Sequence, residues 1–156
     1  MKLHAMLDEG LVLPRLEARS RAGVLREMAG TLAARHGGEL DAGLLDKLLK
    51  REELGTTAIG HGVAVPHCRA SGLQSPALLL GLSRDGIAFK ATDGKPSHVF
   101  FLLVSPEDNP GEGLRLLAAI AALTRACRTL ASKLLKAPTP AGVLYALRAE
   151  EEKSRG

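Results

Sequence analysis

Apolar residues recur at helical spacing in the first third of the chain. After Ser20, a residue type that commonly caps helix N-termini, Val24, Met28 and Leu32 fall on one face until the pattern stops at residues 36–38. The glycines at this stop are typical of helix ends. The spacing therefore predicts a first helix that begins near Ser20 and buries one side.

A second helix is predicted immediately afterwards. Asp41 can cap its N-terminus, the leucines in 44–49 turn inward, Arg51 lies in its last turn and Gly55 ends it. The two neighbouring acids, Glu52 and Glu53, are interpreted as solvated charges.

The period changes to that of strands in the middle of the chain. Short runs suited to β-structure are separated by turn residues, and Arg84-Asp85-Gly86 is a hairpin signal that favours antiparallel pairing. Residues 92–96 make the next bend. The β-suited runs are residues 11–13, 63–65, 77–82, 87–89 and 99–104.

Helical spacing returns in the last third, in residues 114–123, 130–135 and 140–147. Because helices flank the strand block on both sides in sequence, the pattern favours an α+β domain with helices covering a mixed sheet. Residues 1–150 are predicted to form this single domain, and the polar residues 151–156 to fray.

Composition agrees with one ordinary domain. The 156 residues are 46% hydrophobic and 24% charged, enough for a core without disulfides. The longest apolar runs, 116–123 and 99–104, are far shorter than the ~18 residues of a membrane span, so no membrane insertion is expected. The N-terminus lacks a secretory pattern and the two cysteines are far apart, which together predict a cytoplasmic protein with reduced thiols.

The net charge of +4 does not indicate a nucleic-acid partner. Aromatic residues make up only 3% of the chain, leaving little for base stacking, and the basic residues alternate with acids. A mixed-sign surface is the better interpretation, with attraction to an acidic protein as an open alternative.

The segment from Arg51 to Arg69 carries the candidate chemistry. His67 follows a Val-Ala-Val-Pro run, and since proline usually ends a ladder, its imidazole is expected to lie exposed at the mouth of a strand. Gly60 and Gly62 allow backbone N–H groups to approach an anion held there. The hydroxyls of Thr56 and Thr57 are further candidate donors.

This segment resembles the type-2 enzyme IIA family of the bacterial phosphoenolpyruvate-dependent phosphotransferase system, with its fructose, mannitol and nitrogen-related branches. The string Arg-Glu-x-Leu-Gly-Thr-Thr-x-Ile-Gly-x-Gly-Val-Ala-Val-Pro-His over residues 51–67 is its strongest part, and residues 93–103 and 114–123 also match. The resemblance implies a three-layer α/β/α fold with a central mixed sheet, a phosphoryl acceptor at His67 and phosphoryl stabilisation by Arg51.

The chemistry suits these residues. A neutral imidazole nitrogen is a competent nucleophile, and no metal or nucleotide cofactor is required. The resemblance implies attack through Nε2 of His67, with Nδ1 oriented by a hydrogen bond. It also implies a histidine-containing phosphocarrier protein as donor. The hydroxyl roles of Thr56 and Thr57 are inferred from the residues alone.

One departure from the family concerns onward transfer of the phosphoryl group. Members that pass the group on commonly carry a second histidine in a His-Leu pair, which here reads Gly113-Leu114. His61, between two glycines, is a candidate substitute. A regulatory, nitrogen-related phosphocarrier with a target protein is therefore favoured over a sugar-transport IIA that serves a IIB component. A metal-binding module of His61, His67 and Cys68 is the remote alternative.

Overall fold

The computed structural model describes residues 2–155 and contains a six-stranded mixed β-sheet. Two short 3₁₀ turns, His4–Met6 and Glu9–Leu11, precede it. The strands are β1 (Val12–Leu13), β2 (Ala58–Gly60), β3 (Val63–Ala64), β4 (His67–Ala70), β5 (Ala77–Ile87) and β6 (Ser97–Pro106). The helices are α1 (Arg21–Arg35), α2 (Leu44–Leu54), α3 (Gly111–Ala126), α4 (Leu130–Leu135) and α5 (Pro140–Arg155).

The sheet is built around the long antiparallel pair β5 and β6. Strand β1 lies parallel to β5 on one side, while β3 and then β4 lie parallel to β6 on the other side, one after the other along its length. Strand β2 pairs antiparallel with β3 at the edge. One side of β6 is therefore shared by two consecutive short strands.

The apolar residues of the sheet divide between its two faces. Leu78, Leu80 and Leu82 of β5 pack with α3, α4 and α5, whereas Leu79 packs on the opposite face with α1 and α2. This alternation is the period of two that a strand imposes. Both faces are covered by helices, so the three-layer α/β/α arrangement with a mixed sheet is confirmed.

The two predicted helix caps have different outcomes. Ser20 caps α1 as predicted, since its Oγ accepts a hydrogen bond from the backbone N–H of Gly23 at 3.0 Å. Asp41 does not cap α2, which begins at Leu44 with Gly43 as its N-cap. The Asp41 carboxylate instead accepts from the N–H of Gly43 at 2.7 Å and closes a turn that precedes the helix.

The hairpin turn predicted at residues 84–86 is wrong. Strand β5 continues through this segment, and between Leu82 and Ile87 its register shifts against β6, which marks a bulge. Gly86 has φ +84°, and its N–H donates to Ser83 Oγ at 3.1 Å. The turn-forming residues therefore close a local loop within the strand, and the chain reverses later, at residues 92–96 as predicted.

The C-terminal segment, predicted to fray from Glu151 onward, is helical through Arg155. The Glu151 carboxylate is buried and accepts hydrogen bonds from the N–H groups of Leu3 and His4 at 2.7 and 2.8 Å. These bonds tie α5 to the first residues of the chain, which supplies the anchor that the polar composition did not indicate. Gly156 lies outside the described residues. Among residues 2–155, no helix is long and apolar enough to span a membrane.

Candidate functional site

His67 is the first residue of β4, half-buried and paired in register with Leu103 of β6. Strand β3 ends at Ala64, just before Pro66, as the proline predicted, but the expected exposure of the imidazole is wrong, since His67 is only partly exposed. The carbonyl of Pro66 accepts a hydrogen bond from the N–H of Leu103 at 2.9 Å, so pairing with β6 resumes at once. The ladder fixes the backbone of His67 on both sides of its Cα.

The imidazole ring of His67 is oriented by its own strand. Its Nδ1 lies 2.7 Å from the carbonyl oxygen of Val65. Because a carbonyl can only accept a hydrogen bond, Nδ1 carries the proton. In the neutral ring the lone pair therefore belongs to Nε2, on the opposite side of the imidazole. His67 is held as the tautomer that presents a nucleophile at Nε2.

His67 opens into a cleft of about 690 Å³ between the end of α2 and the beginning of α3. Its charged residues are four cations and one acid, a balance that favours an anion. The N-terminus of α3 also borders the cleft and adds partial positive charge. The charged lining residues are Lys47, Lys50, Arg51, Arg69 and Glu53, and the apolar ones are Leu54, Leu103, Pro110, Leu114 and Leu117.

Arg51 is brought to this cleft by the last turn of α2. Its Nη1 donates to the carbonyl of Gly55 at 2.9 Å, just beyond the helix end. A guanidinium has five N–H donors, so one bond fixes the group while the others stay available for a ligand. The structure thus places Arg51 in the same cleft as His67, and a guanidinium can pair with two oxygen atoms of an anion.

The four cations are not equivalent. Lys47 is 2.5 Å from Asp41, whose hydrogen bond raises the pKa of the lysine, while the same bond lowers the pKa of the carboxyl group. Lys50 pairs with Asp46 at 2.9 Å. In the part of the chain that the structure describes, neither Arg51 nor Arg69 forms an ion pair. The two arginines therefore carry the uncompensated charge of the cleft.

Cys68 follows His67, packs against the apolar cluster on the opposite face of the sheet and also borders the cleft. Burial raises the pKa of its thiol to about 11. The thiol stays protonated near neutral pH, which makes it a poor nucleophile and a poor metal ligand.

Thr56 and Thr57 lie outside the cleft and already use their hydroxyls. Thr57 Oγ1 donates to Glu52 Oε1 at 2.7 Å, and its backbone N–H donates to Glu52 Oε2 at 2.7 Å. Thr56 Oγ1 donates to the carbonyl of Phe89. Both hydroxyls therefore hold the segment that follows α2 in place.

The buried position of Glu52 overturns its interpretation as a solvated charge. Its side chain is 4% exposed and accepts both hydrogen bonds from Thr57. The signal was present in the sequence, because Leu44, Leu48 and Glu52 are spaced by four residues and share the inward face of α2.

His61 and Gly62 belong to a second cleft, and Gly60 lies close to Asp93 of that cleft. His61 lines it with Asp93, Lys95, His98 and Arg128. Strand β3 meets β6 at position 99 and β4 meets it at position 103, four residues apart or about 13 Å of strand. The structure thus separates His61 from the His67 cleft.

This separation corrects two expectations about His61. It does not occupy the place of the second histidine, since Gly113 itself lines the His67 cleft from the first turn of α3. His61, His67 and Cys68 do not converge, and no group of three His, Cys, Asp or Glu side chains placed to hold a metal occurs among the described residues. The metal-module alternative is therefore without support.

Arg69 and Ser105 line the cleft but were not recognised in the sequence. Arg69 had a signal, because residues two apart on a strand share a face and it comes two residues after His67. Ser105 had none, since its position depends on how α3 packs on β6.

Comparisons with known proteins agree with this arrangement. A nitrogen regulatory protein of Pseudomonas aeruginosa is 40% identical over 147 residues, covering 93% of each chain. The nitrogen regulatory protein IIA-Ntr of Neisseria meningitidis has a similar structure, with a TM-score of 0.81, 26% identity, and coverage of 93% of this chain and 98% of that one. Mannitol IIA of Escherichia coli, solved in complex with phosphorylated mannitol IIB, shares the fold with a TM-score of 0.73 and 15% identity over 92% and 97% of the two chains.

The family model for the phosphoenolpyruvate-dependent sugar phosphotransferase system, EIIA 2, matches residues 5–150. The match spans all the strands and both residues of the His67–Arg51 pair. Both the resemblance found in the sequence and the fold it implied are confirmed. The chain belongs to the EIIA type-2 family of the phosphotransferase system.

Proposed function

We propose that this protein is a phosphocarrier that accepts a phosphoryl group on Nε2 of His67. The observation that carries the proposal is the 2.7 Å hydrogen bond from Nδ1 to Val65, which leaves the lone pair on Nε2. The family carries phosphoryl groups, and the cationic cleft around this ring suits an anionic group.

The transfer step balances without a cofactor. The Nε2 lone pair attacks phosphorus while Nδ1 keeps its proton, so the phosphorylated ring of His67 is a cation. The P–N bond to the donor's histidine breaks, and its electron pair returns to the donor's ring, which keeps a proton on its other nitrogen and leaves as a neutral imidazole. Arg51 would neutralise charge on the equatorial oxygens as the group passes in line between the two rings. The proposed donor is a histidine-containing phosphocarrier protein.

The surface around His67 suits docking of such a donor. Leu54 and Leu114 are 85% and 62% exposed and both border the cleft. Exposed leucines beside a reactive group are typical of protein interaction sites, where a partner covers them. The same patch would serve a donor or an acceptor in turn.

A regulatory role in the nitrogen-related branch is the favoured assignment. The Pseudomonas aeruginosa and Neisseria meningitidis relatives are both nitrogen regulatory proteins. Gly113 offers no second imidazole for onward transfer. A sugar-transport role with a IIB acceptor is the second candidate, favoured by the fold shared with mannitol IIA, which was solved in complex with IIB.

The test is phosphorylation with phosphoenolpyruvate, enzyme I and the phosphocarrier protein, followed by mapping of the labelled residue. We expect an acid-labile label on wild type and on His61→Ala, and none on His67→Ala. Adding a fructose- or mannitol-type IIB should discharge the label slowly. A label on His67→Ala would refute the proposed acceptor, and rapid discharge to IIB would favour the sugar-transport role.

A further inference from the structure

The residues beyond His67 on β4 and β6 form a second polar group in the cleft. The register pairs His67 with Leu103 and Arg69 with Ser105. Side chains two apart on a strand share a face, so His67, Arg69 and Ser105 lie on the same face of the sheet. All three line the cleft. A guanidinium and a hydroxyl therefore stand next to the imidazole, toward the C-terminal ends of both strands.

The orientation of the ring leaves Nε2 on the side away from Val65. Nδ1 is bound to Val65, which precedes His67 by two residues on the chain. Nε2 is on the other side of the imidazole and so faces away from Val65. The next residues on the same face of β4 and β6 are Arg69 and Ser105, which line the same cleft as His67.

Gly113 and Ser105 pack directly against each other. A Cβ on Gly113 would lie 1.8 Å from Ser105 Oγ and 3.0 Å from Ser105 Cβ. The hydroxyl thus occupies the space that any side chain at position 113 would need, and glycine lets α3 approach β6 this closely. Ser105 is 8% exposed, so the hydroxyl is confined between the helix and the cleft.

We propose that Ser105 and Arg69 bind the phosphoryl group on His67, opposite Arg51. The Ser105 hydroxyl donates a hydrogen bond to one phosphoryl oxygen, and the Arg69 guanidinium pairs with another. This assignment rests on the proposed function, since it concerns the group carried by Nε2 of His67. It makes Gly113 a requirement of the Ser105 site and explains how the cleft can hold phosphate with no imidazole at that position.

The experiment measures the rate at which the phosphocarrier protein labels the full chain, by rapid quench, together with the lifetime of the phosphohistidine. We expect Ser105→Ala to slow labelling about tenfold and Arg69→Gln about ten- to hundredfold, as for lost donors to a transferring group. Ser105→Cys keeps the volume with a weaker donor and should resemble Ser105→Ala. The matched controls are Ser75→Ala and Arg26→Gln, both exposed residues that do not border the cleft.

Gly113→Ala provides a test that adds no functional group. Its Cβ would displace the Ser105 hydroxyl, so it should slow labelling about as much as Ser105→Ala. The double variant Ser105→Ala/Gly113→Ala should be no slower than either single one, because both remove the same hydrogen bond. Additive effects would overturn this coupling, and thermal unfolding checks that each variant is folded.

The outcomes separate the two proposals. If His67 is labelled and the Ser105, Arg69 and Gly113 variants all keep the wild-type rate and lifetime, the assignment of Ser105 and Arg69 is refuted and the phosphocarrier function stands. If the label on wild type maps to a residue other than His67, or no label forms, both proposals fail.

Discussion

Two clefts on the same side of β6 each hold a histidine from one glycine-rich string, and they differ in how the ring is held. In the first cleft, the His67 side chain donates through Nδ1 to Val65. In the second, His61 is held through its backbone N–H, which donates to Asp93 at 3.3 Å. A ring with one nitrogen fixed presents the other as a nucleophile, whereas a backbone bond leaves the tautomer open. The two histidines therefore differ in that only the His67 ring has a fixed orientation.

The charges around the two rings also differ. Arg51 and Arg69 leave the His67 cleft with uncompensated positive charge. The second cleft contains Asp93, whose pKa is held below its usual range by a hydrogen bond from the backbone N–H of Lys95 and, more weakly, by that from His61. A carboxylate beside His61 repels a phosphoryl group. Under the proposed function, the same sequence motif supplies one phosphoryl site and one structural turn, and Arg51 should matter only to the first.

Replacement of Arg51 tests this difference most strongly. Arg51→Lys keeps the charge but loses the planar donors that can bridge two oxygens, so we expect labelling of His67 to slow about ten- to thousandfold. Arg128→Lys, at the second cleft, is the matched control and should leave the rate near that of wild type. An unchanged rate in Arg51→Lys would make Arg51 a surface cation at a helix end.

The two cysteines allow the clefts to be compared without phosphate. Cys68 borders the His67 cleft, and Cys127 directly precedes Arg128 and Thr129 of the second cleft. Alkylation requires the thiolate. With a pKa of about 11, Cys68 should react with iodoacetamide at pH 8 about 100-fold more slowly than a thiol with the ordinary pKa of 9.0.

The pH dependence of this alkylation tests the direction in which the pKa of Cys68 is shifted. As pH rises from 7 to 9, the Cys68 rate should increase about tenfold per unit with no plateau, because its pKa lies above the range. Peptide mapping separates Cys68 from Cys127. A plateau of the Cys68 rate below pH 9 would show that burial does not raise its pKa.

The smallest expected effect concerns the segment that joins the two clefts. Thr57→Val leaves a buried oxygen of Glu52 without its hydroxyl donor, which should lower the free energy of unfolding by about 1–3 kcal/mol. Labelling of His67 should stay close to the wild-type rate. Thr31→Val, on the partly buried side of α1, is the control. Slow labelling of Thr57→Val without loss of stability would contradict this and indicate that the Thr57 hydroxyl acts on the phosphoryl group.

Signals carried by local sequence predicted much of this molecule. The Ser20 cap depends on residues three apart, and the His67 string is continuous, so both could be identified from the chain alone. The segment 84–86 was misassigned because turn residues form a bulge or a hairpin depending on the pairing partner of the next strand segment. The same limit applied to the end of α5, whose anchor is the distant N-terminus.

The parts of the site that could not be predicted arise from packing between distant elements. Ser105 and Gly113 meet only because α3 lies on β6, and no periodicity encodes their contact. The glycine-rich string suggested that its threonines and both histidines serve one anion. The register of β3 and β4 along β6 places the two histidines in different clefts, and this register cannot be known before the sheet is known.

The central claim is that the phosphoryl group resides on Nε2 of His67, with Nδ1 protonated and bound to Val65. The most direct measurement is NMR of the phosphorylated protein labelled with ¹⁵N in histidine. We predict one phosphohistidine, linked through Nε2, whose Nδ1 retains its proton, and loss of this signal in His67→Ala. A phosphorus linkage to Nδ1, or a phosphohistidine signal that persists in His67→Ala and disappears in His61→Ala, would contradict this claim.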